Sequence, residues 1–508
     1  MHTSILGLIL LAGVYTVYFI VGRIQRYFRR KAFAAEHGCR PPTSVPKEIN
    51  DVLGLNSVRK NMAAAKNKKF LESGKERFDK YGHTYWINVL GRKMIMTREK
   101  ENVKAILHDQ FGDFELNRLH TLGPLFGIGI FTTDGPAWKH SRAMIKPNFD
   151  RKQVANLDMF ERHIQELFHC IPRDGSTVDL QELFFRLTID SATEFLFGES
   201  VNSLSSDDTT GLSEEVQFTK AFNQALELTV MNLRLGPLSR FWYNPKEAEC
   251  KKVCWDFLDK YVDKALKYRQ SVDLEKATSK KGSYVFLHEL AKSTSDSKRL
   301  RDELFNVLLA GRDTTASLLS NLFFHLAKQP AIWAKIVEEA QTTLRGDLPT
   351  YEQLKEMKYL QYCLSESLRL NPVVPGNART ATRDTWIPRG GGEDGLSPLF
   401  VPKGTAVNYS PFSMHRRKDY FGEDADEFVP ERWESLRQNW QYLPFNGGPR
   451  ICVGQQYALT EAGYVVTRFA QEFATWKMES RDPEEWIEGL TLTCCSGNGT
   501  KVGFVPKA

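Results

Sequence analysis

Apolar residues dominate the chain in a few long stretches. Residues 4–22, "SILGLILLAGVYTVYFIVG", are apolar almost without interruption, and residues 1–22 contain no Asp, Glu, Lys or Arg. At ~1.5 Å per residue a helix of that length reaches roughly 30 Å, the thickness of a bilayer's hydrocarbon core. Further on, "RLRDELFNVLLAGRDTTASLLSNLFFHLAKQ" (299–329) predicts a long helix, apolar nearly all round and without internal proline. Such a helix has to run through the protein's interior. "YEQLKEMKYLQYCLSESLRL" (351–370) predicts a second helix, stopped by Pro372, and "GQQYALTEAGYVVTRFAQEF" (454–473) a third. Strand-like runs ("HTYWINVL", "KMIMT", "TAVNYS", "KVGFV") are few, short and bounded by turns. The pattern predicts a mainly α fold with small β-sheets.

The N-terminal run reads as a transmembrane anchor. Arg23, Arg26, Arg29, Arg30 and Lys31 follow it directly and hold that flank, with everything after it, on the cytoplasmic side. Tyr15, Tyr18 and Tyr27 suit the membrane interfaces. A cleaved signal peptide would carry its basic residues ahead of a shorter apolar region. Ala32-Phe33-Ala34 does spell a cleavage-like site, but beyond the basic cluster. "GCRPPTSVP" (38–46) then ends the helix in a stiff hinge. The expected organisation is an anchor over 1–22, a basic stop-transfer and proline-rich hinge over 23–47, and one catalytic unit over 48–508. Polar stretches at 205–215 and 279–284 read as surface loops.

With 508 residues, 42% of them hydrophobic, the chain can bury a large core. Its net charge of +6 is modest and its basic residues are scattered, which excludes nucleic acid as a partner. The eight cysteines face a reducing compartment and need no disulfides. Cys250 and Cys254, four apart on a predicted helix without partners at zinc spacing, are assigned to packing. The sequons at Asn408 and Asn498 go unused on the cytosolic side.

One stretch demands chemistry. "FNGGPRICVG" (445–454) sets a single cysteine among three glycines, a proline and an arginine. Gly448 and Gly454 remove Cβ atoms where a flat cofactor would press on the backbone. The helix starting near Gly454 aims its positive end at the Cys452 sulfur, an arrangement expected to lower the thiol's pKa. Such a thiolate suits iron. Phe445, Gly448, Arg450, Cys452 and Gly454 fill all five positions of F-x-x-G-x-R-x-C-x-G, and the stretch resembles the heme-binding loop of cytochrome P-450 monooxygenases.

That resemblance implies heme b, with Cys452 as axial ligand to its iron. "AGRDTT" (310–315) is similar to the family's oxygen-activating segment. There Gly311 would let the helix pass close to the iron, while Asp313 and Thr314 place an acid beside a hydroxyl, as a proton relay requires. Ala310 stands where some fatty-acid-oxidising relatives carry a Glu that esterifies the heme, so covalent attachment is not expected. Glu366 and Arg369 lie on one helix face, and with Arg432 they resemble the family's Glu-Arg-Arg lock, a structural clamp. Trp138, Arg142, Arg379 and Arg450 are candidates for holding the heme propionates.

Segments along the whole chain look like the fungal branch that hydroxylates alkanes and fatty acids. This implies a narrow apolar tunnel, an endoplasmic-reticulum membrane location, a hydrophobic small-molecule substrate, and electrons from NADPH through a separate reductase. Lys139 and Lys146 are candidates for docking that partner. "NPVVPGNAR" departs from the branch: Gly376 and Ala378 replace an expected Arg and bulky aromatic, enlarging the pocket and removing a carboxylate anchor. The paired cysteines of "LTLTCCSGNG" (490–499), another expected pocket turn, are unusual as well. Both favour a rival substrate, a lipid-like secondary metabolite such as an alkyl-tailed polyketide. A heme-binding sensor or carrier without turnover and a peroxide-rearranging isomerase are the other classes. The Asp313–Thr314 pair argues against both.

Overall fold

The computed structural model describes residues 2–42, 54–150, 156–205, 213–235, 244–271 and 285–506. The chain begins with α1 (His2–Glu36), followed by β1 (Thr84–Val89), β2 (Arg92–Thr97) and β3 (Phe114–Glu115). Next come α2 (Gly135–Ile145), α3 (Asp158–His169), β4 (Val178–Asp179), α4 (Leu180–Phe197), α5 (Glu214–Leu235) and α6 (Pro245–Ser271). The helices α7 (Ser297–Lys328) and α8 (Lys358–Leu370) lead into β5 (Asn377–Ala381), β6 (Thr385–Gly391), β7 (Ser397–Val401) and β8 (Ala406–Tyr409). Last are α9 (Gln455–Glu472), β9 (Trp476–Ser480), β10 (Glu488–Leu490), β11 (Cys494–Ser496) and β12 (Lys501–Pro506), and further helices lie between the elements given. The mainly helical pattern with small sheets is the one expected.

Two compact units form. One comprises residues 1–60, 74–115 and 378–410; the other comprises 61–73, 116–377 and 411–508. The first holds a five-stranded sheet in the order β1-β2-β8-β5-β3. β1 and β2 pair antiparallel through a two-residue turn, Leu90-Gly91, both at positive φ (51° and 74°). That is the backbone a tight hairpin needs to match strand twist. β8 adds in parallel to β2, and β6 and β7 form a separate antiparallel pair with an irregularity between Ile387 and Gly391.

α1 does not stop where the apolar run ends. It continues through the basic cluster to Glu36. Arg30 donates to Asp384 Oδ1 at 2.9 Å and Oδ2 at 3.1 Å, and Phe33 packs on His37 and Phe400. Arg40 N–H then bonds Pro398 O at 2.9 Å. Gly391 permits this approach, because a Cβ there would lie 2.3 Å from Pro398 O and 2.5 Å from Arg40 O. The expected basic stop-transfer and hinge is therefore, up to Pro42, a continuation of α1 followed by a docked segment. Residues 43–47 of the expected hinge, 206–212 of one expected loop and all of the 279–284 loop lie outside the described residues. Among the described residues no helix is long and apolar enough to cross a membrane.

In the second unit α7 is buried along most of its length, as its pattern requires, and Asp296 caps its start by accepting from Arg299 N–H. It packs on α4 and α9, with Phe184, Phe323 and Phe469 in tilted and edge-to-face contact where the three meet. Each such buried phenyl contributes ~1.5–3 kcal/mol. α3 ties to α9 by a forked ion pair, Arg468 to Glu161 at 2.8 and 3.0 Å, and Tyr464 O–H donates to the same carboxylate at 2.7 Å. β4, β12 and β9 form a three-stranded sheet, and β10 pairs with β11.

The single helix expected over 351–370 is two. Tyr351–Glu356, opened by the Thr350/Gln353 capping box, ends at Met357 (ψ 84°) before α8 begins. The break is held by Glu339, whose carboxylate accepts from the N–H groups of Tyr359 (2.8 Å) and Leu360 (2.9 Å). An outside carboxylate thus caps the new helix start.

Candidate active site

The loop around Cys452 closes on itself. Asn446 and Gly448 have positive φ (64° and 68°), and Gly448–Arg450 forms a single tight helical turn. Cys452 N–H bonds Phe445 O at 3.0 Å and Ile451 N–H bonds Gly448 O at 3.0 Å. Gly448 is required by its backbone, but Gly454 is not required by packing. Its φ is −86°, and a Cβ there would meet only the Phe149 ring at 3.7 Å.

Of the chain's eight cysteines, all described, Cys452 alone is exposed. Protein packed around its thiol desolvates it and pushes its pKa up. The Gly454 N–H and the Arg142 charge work the other way and are outweighed. The expectation of a lowered thiol pKa is therefore corrected. Desolvation outweighs the dipole at the start of α9 here. A thiolate at this position calls for a cation bound to it.

Three of the four predicted propionate holders converge beside it. α2 starts after Asp134 with a proline at its first turn, and it carries Trp138 and Arg142. Arg450 Nη2 donates to Asp134 Oδ1 at 2.7 Å and Thr133 O at 2.8 Å, while Arg142 Nη1 donates to Ile451 O at 3.0 Å. Both guanidiniums flank the Trp138 ring, at 4.3 Å for Arg450 and 5.9 Å for Arg142. Asp134 is itself fixed by the N–H groups of Leu116 (3.0 Å) and Asn117 (2.9 Å). The fourth, Arg379, belongs to the other unit, where it is buried, donates to Ala378 O at 2.8 Å and lies over the Tyr409 ring. One accessible thiol beside two guanidinium forks and an indole suits heme b, with sulfur for the iron and cations for the two carboxylates.

On α7, Asp313 is buried and pairs with Arg312 at 2.8 Å. Burial pushes its carboxyl pKa up, and Arg312 opposes that. The Thr314 hydroxyl donates to Ala310 O, one turn back, at 2.6 Å. A Cβ on Gly311 would meet Ala192 of α4 at 3.5 Å, an ordinary contact, so packing against α4 does not by itself require the glycine. One turn beyond Thr314, Ser317 Oγ and Thr493 Oγ1 lie 3.2 Å apart, seating the β10–β11 hairpin on α7. Cys494 is buried in this hairpin, its N–H bonded to Val373 O at 2.9 Å.

Glu366, Arg369 and Arg432 form the lock that the sequence implies. Arg369 and Glu366 have no exposed side-chain surface and make a two-pronged pair at 2.9 and 2.8 Å. Arg432 Nε joins Glu366 Oε1 at 2.9 Å, as does the Val429 N–H, and Trp433 Nε1 donates to Oε2 at 3.0 Å. Arg369 also donates to the carbonyls of His415, Ala425 and Glu427. His415 Nε2 in turn accepts from Leu443 N–H at 2.9 Å, which carries the clamp to the residues just before the cysteine loop.

The sequence reading missed Glu461. It is fully buried on α9 and accepts a short hydrogen bond from Ser191 of α4, with Thr315 of α7 beside it. Burial pushes its carboxyl up to about 7. An acidic residue flanked by the apolar stretch of α9 was the available signal.

A sequence model of the family described as Cytochrome P450 matches residues 58–495. The chain is 47% identical over 503 residues to Cytochrome P450 monooxygenase fsdH of Fusarium heterosporum, covering 97% of this chain and 87% of that protein. It is 48% identical over 480 residues to Cytochrome P450 monooxygenase himC of Aspergillus japonicus, covering 93% and 85%. It is 44% identical over 494 residues to Cytochrome P450 52A3-B of Candida maltosa, covering 93% and 92%.

Proposed function

The chain belongs to the cytochrome P450 family, as a heme-thiolate monooxygenase fed by NADPH through a reductase, and we propose that its substrate is a long alkyl chain. The reaction inserts one oxygen atom from O2 into an unactivated, terminal carbon of a fatty acid or n-alkane. The observation that carries this is the chain-long likeness to a Candida P450 of the 52A group, in line with the branch that the sequence resembles.

Heme b, held through Cys452, supplies the activation of O2. Arg142, Arg450 and Trp138 hold and orient its carboxylates. Asp313 and Thr314 deliver protons: the Thr314 hydroxyl turns from Ala310 O toward the site, and the Asp313 carboxyl, partly released from Arg312, replenishes it. The Glu366–Arg369–Arg432 lock keeps the cysteine loop in place. Lys139 and Lys146, both exposed, face the acidic reductase. α1 anchors the protein to the endoplasmic-reticulum membrane with the catalytic part in the cytoplasm. In support, Leu10, Val14 and Tyr18 stand 63%, 66% and 77% exposed, and the basic cluster follows them.

A second reading, a tailoring step on a lipid-like secondary metabolite, is favoured by Gly376, an exposed residue without bulk just beyond α8. Microsomes carrying the protein and its reductase decide between the two. Hydroxylated product from lauric, palmitic or oleic acid or hexadecane, with a substrate-induced spin-state shift, supports the alkyl reading. No product and no shift with any of them overturns it in favour of the tailoring step.

A further inference from the structure

We propose that His163, Glu166 and Asp190, at the contact of α3 with α4, bind one divalent transition-metal ion of the Zn2+ type as a second, structural metal site. One ligand atom from each of the three lies within 4.8 Å of the others. Three atoms so spaced share a point about 2.8 Å or less from each, and reaching bonds of ~2.1 Å takes side-chain shifts of under about 1 Å.

The imidazole carries the argument. His163 is 4% exposed, and its Nε2 lies 2.8 Å from Glu194 Oε2. Its Nδ1 is buried with no hydrogen-bond partner and faces Glu166 Oε2 at 4.0 Å, beyond hydrogen-bond reach. Glu166 Oε2 is likewise buried and unpartnered. With Nε2–H donating to Glu194, Nδ1 turns a lone pair toward the Glu166 carboxylate. Lone pairs converging in a buried space repel unless a cation lies between them. As placed, Nδ1 and Glu166 Oε2 make no hydrogen bond at 4.0 Å, whereas one metal ion would satisfy both atoms at once. An imidazole whose far N–H is fixed by a carboxylate is also the arrangement that orients histidine for a metal. Glu194 fills that outer role and is itself held by Arg162.

Charge points the same way. Three carboxylates (Glu166, Asp190 and Glu194) surround one imidazole, with the Arg162 guanidinium on the outer side. The Asp190 oxygens accept from the N–H groups of Ser203 (2.6 Å) and Leu204 (2.9 Å), and each keeps a further lone pair. Glu166 is 39% exposed and gives the ion a path from solvent and a place for water as fourth ligand. One histidine nitrogen and two carboxylate oxygens suit Zn2+ better than Ca2+ or Mg2+, which prefer all-oxygen cages. The ion would tie α3 to α4 and to the turn at Ser203–Leu204.

The test uses the full-length, heme-loaded protein. After dialysis against buffered Zn2+ and then metal-free buffer, elemental analysis should find one Zn2+ per heme. Glu166→Gln, at the half-exposed rim, should weaken Zn2+ binding at least tenfold with the heme spectrum unchanged, and His163→Gln should do the same. Zn2+ should raise the thermal midpoint of the parent protein and leave that of Glu166→Gln where it is. No zinc retained by the parent protein, or equal retention by the parent and Glu166→Gln, overturns the proposal.

Discussion

Arg312 and Asp313 are neighbours in the chain and partners in space, their charged atoms 2.8 Å apart and both side chains buried. The guanidinium also lies over the rings of Phe185 and Phe222, so the pair is set in an aromatic wall rather than in solvent. Burial makes Asp313 easier to protonate and Arg312 makes it harder. A carboxyl caught between two opposing influences can take up and give back a proton, which a purely structural ion pair does poorly.

Substitutions on this segment should separate the two halves of the relay. Asp313→Asn should lower product formation by about a hundredfold, the scale of a lost proton-transfer group, while heme content stays normal. Thr314→Ala should leave NADPH consumption running but divert it, with less product and more hydrogen peroxide per NADPH. Measuring all three fluxes on one preparation checks both. A Thr314→Ala protein with unchanged product per NADPH would remove that hydroxyl from the mechanism.

Glu461 offers a pH test of folding. Its folded carboxyl is raised to about 7, from an ordinary value of 4.5. The folded state therefore holds the proton more tightly than the unfolded chain. The stability this lends is fully present below pH 4.5 and is lost as pH rises through about 7. A shift of this size corresponds to about 3 kcal/mol. Glu461→Gln, which keeps an acceptor for Ser191 and cannot ionise, should be more stable than the parent at pH 8, and the two should converge near pH 4.5. Thermal midpoints at both pH values decide it.

How much of this was legible depends on how far each interaction reaches along the chain. The cysteine loop could be read because its bonds close within ten residues, Cys452 N–H to Phe445 O among them. The three lock residues could be named, but not the partners that complete them. Glu366 and Arg369 are three apart, but Trp433, Val429 and the carbonyl of His415 reach them only through the fold. The helix break at Met357 depends on Glu339, which pattern alone does not connect to it. Gly311 and Gly454 looked like glycines required by close packing, yet at both a Cβ would make only ordinary contacts, with Ala192 at 3.5 Å and Phe149 at 3.7 Å. The thiol of Cys452 was misjudged for a related reason: a dipole is visible in sequence, desolvation is not.

The lock should be far more sensitive than an exposed ion pair. Arg369→Ala would leave the Glu366 carboxylate buried without its main counter-charge and three backbone carbonyls without a donor. Breaking a buried pair costs about 3–5 kcal/mol. Arg369→Ala should therefore lose most bound heme and unfold at a clearly lower temperature. Arg186→Ala, which breaks an exposed pair with Glu182, should change stability by less than about 0.5 kcal/mol. Heme content and thermal midpoint of the two variants side by side provide the check.

Asp384 controls how the C-terminal half of α1 is held. Its carboxylate receives both prongs of Arg30 and the Lys403 N–H at 2.8 Å, with Arg29 at 3.8 Å, and these partners keep its pKa below the usual carboxylate range despite partial burial. A depressed acid adds stability that is present above its unfolded pKa and is lost as pH falls through the folded one. Asp384→Asn removes the charge but not the shape, so β6 and β7 should still pair while Arg29, Arg30 and Lys31 are released. Limited trypsin digestion of the membrane-bound protein should then cut after these residues several times faster than in the parent. If the membrane hold comes from the apolar residues before Arg23, the N-terminal fragment stays in the membrane pellet after alkaline carbonate extraction. Its release into the supernatant would instead assign the hold on the membrane to the docked basic segment.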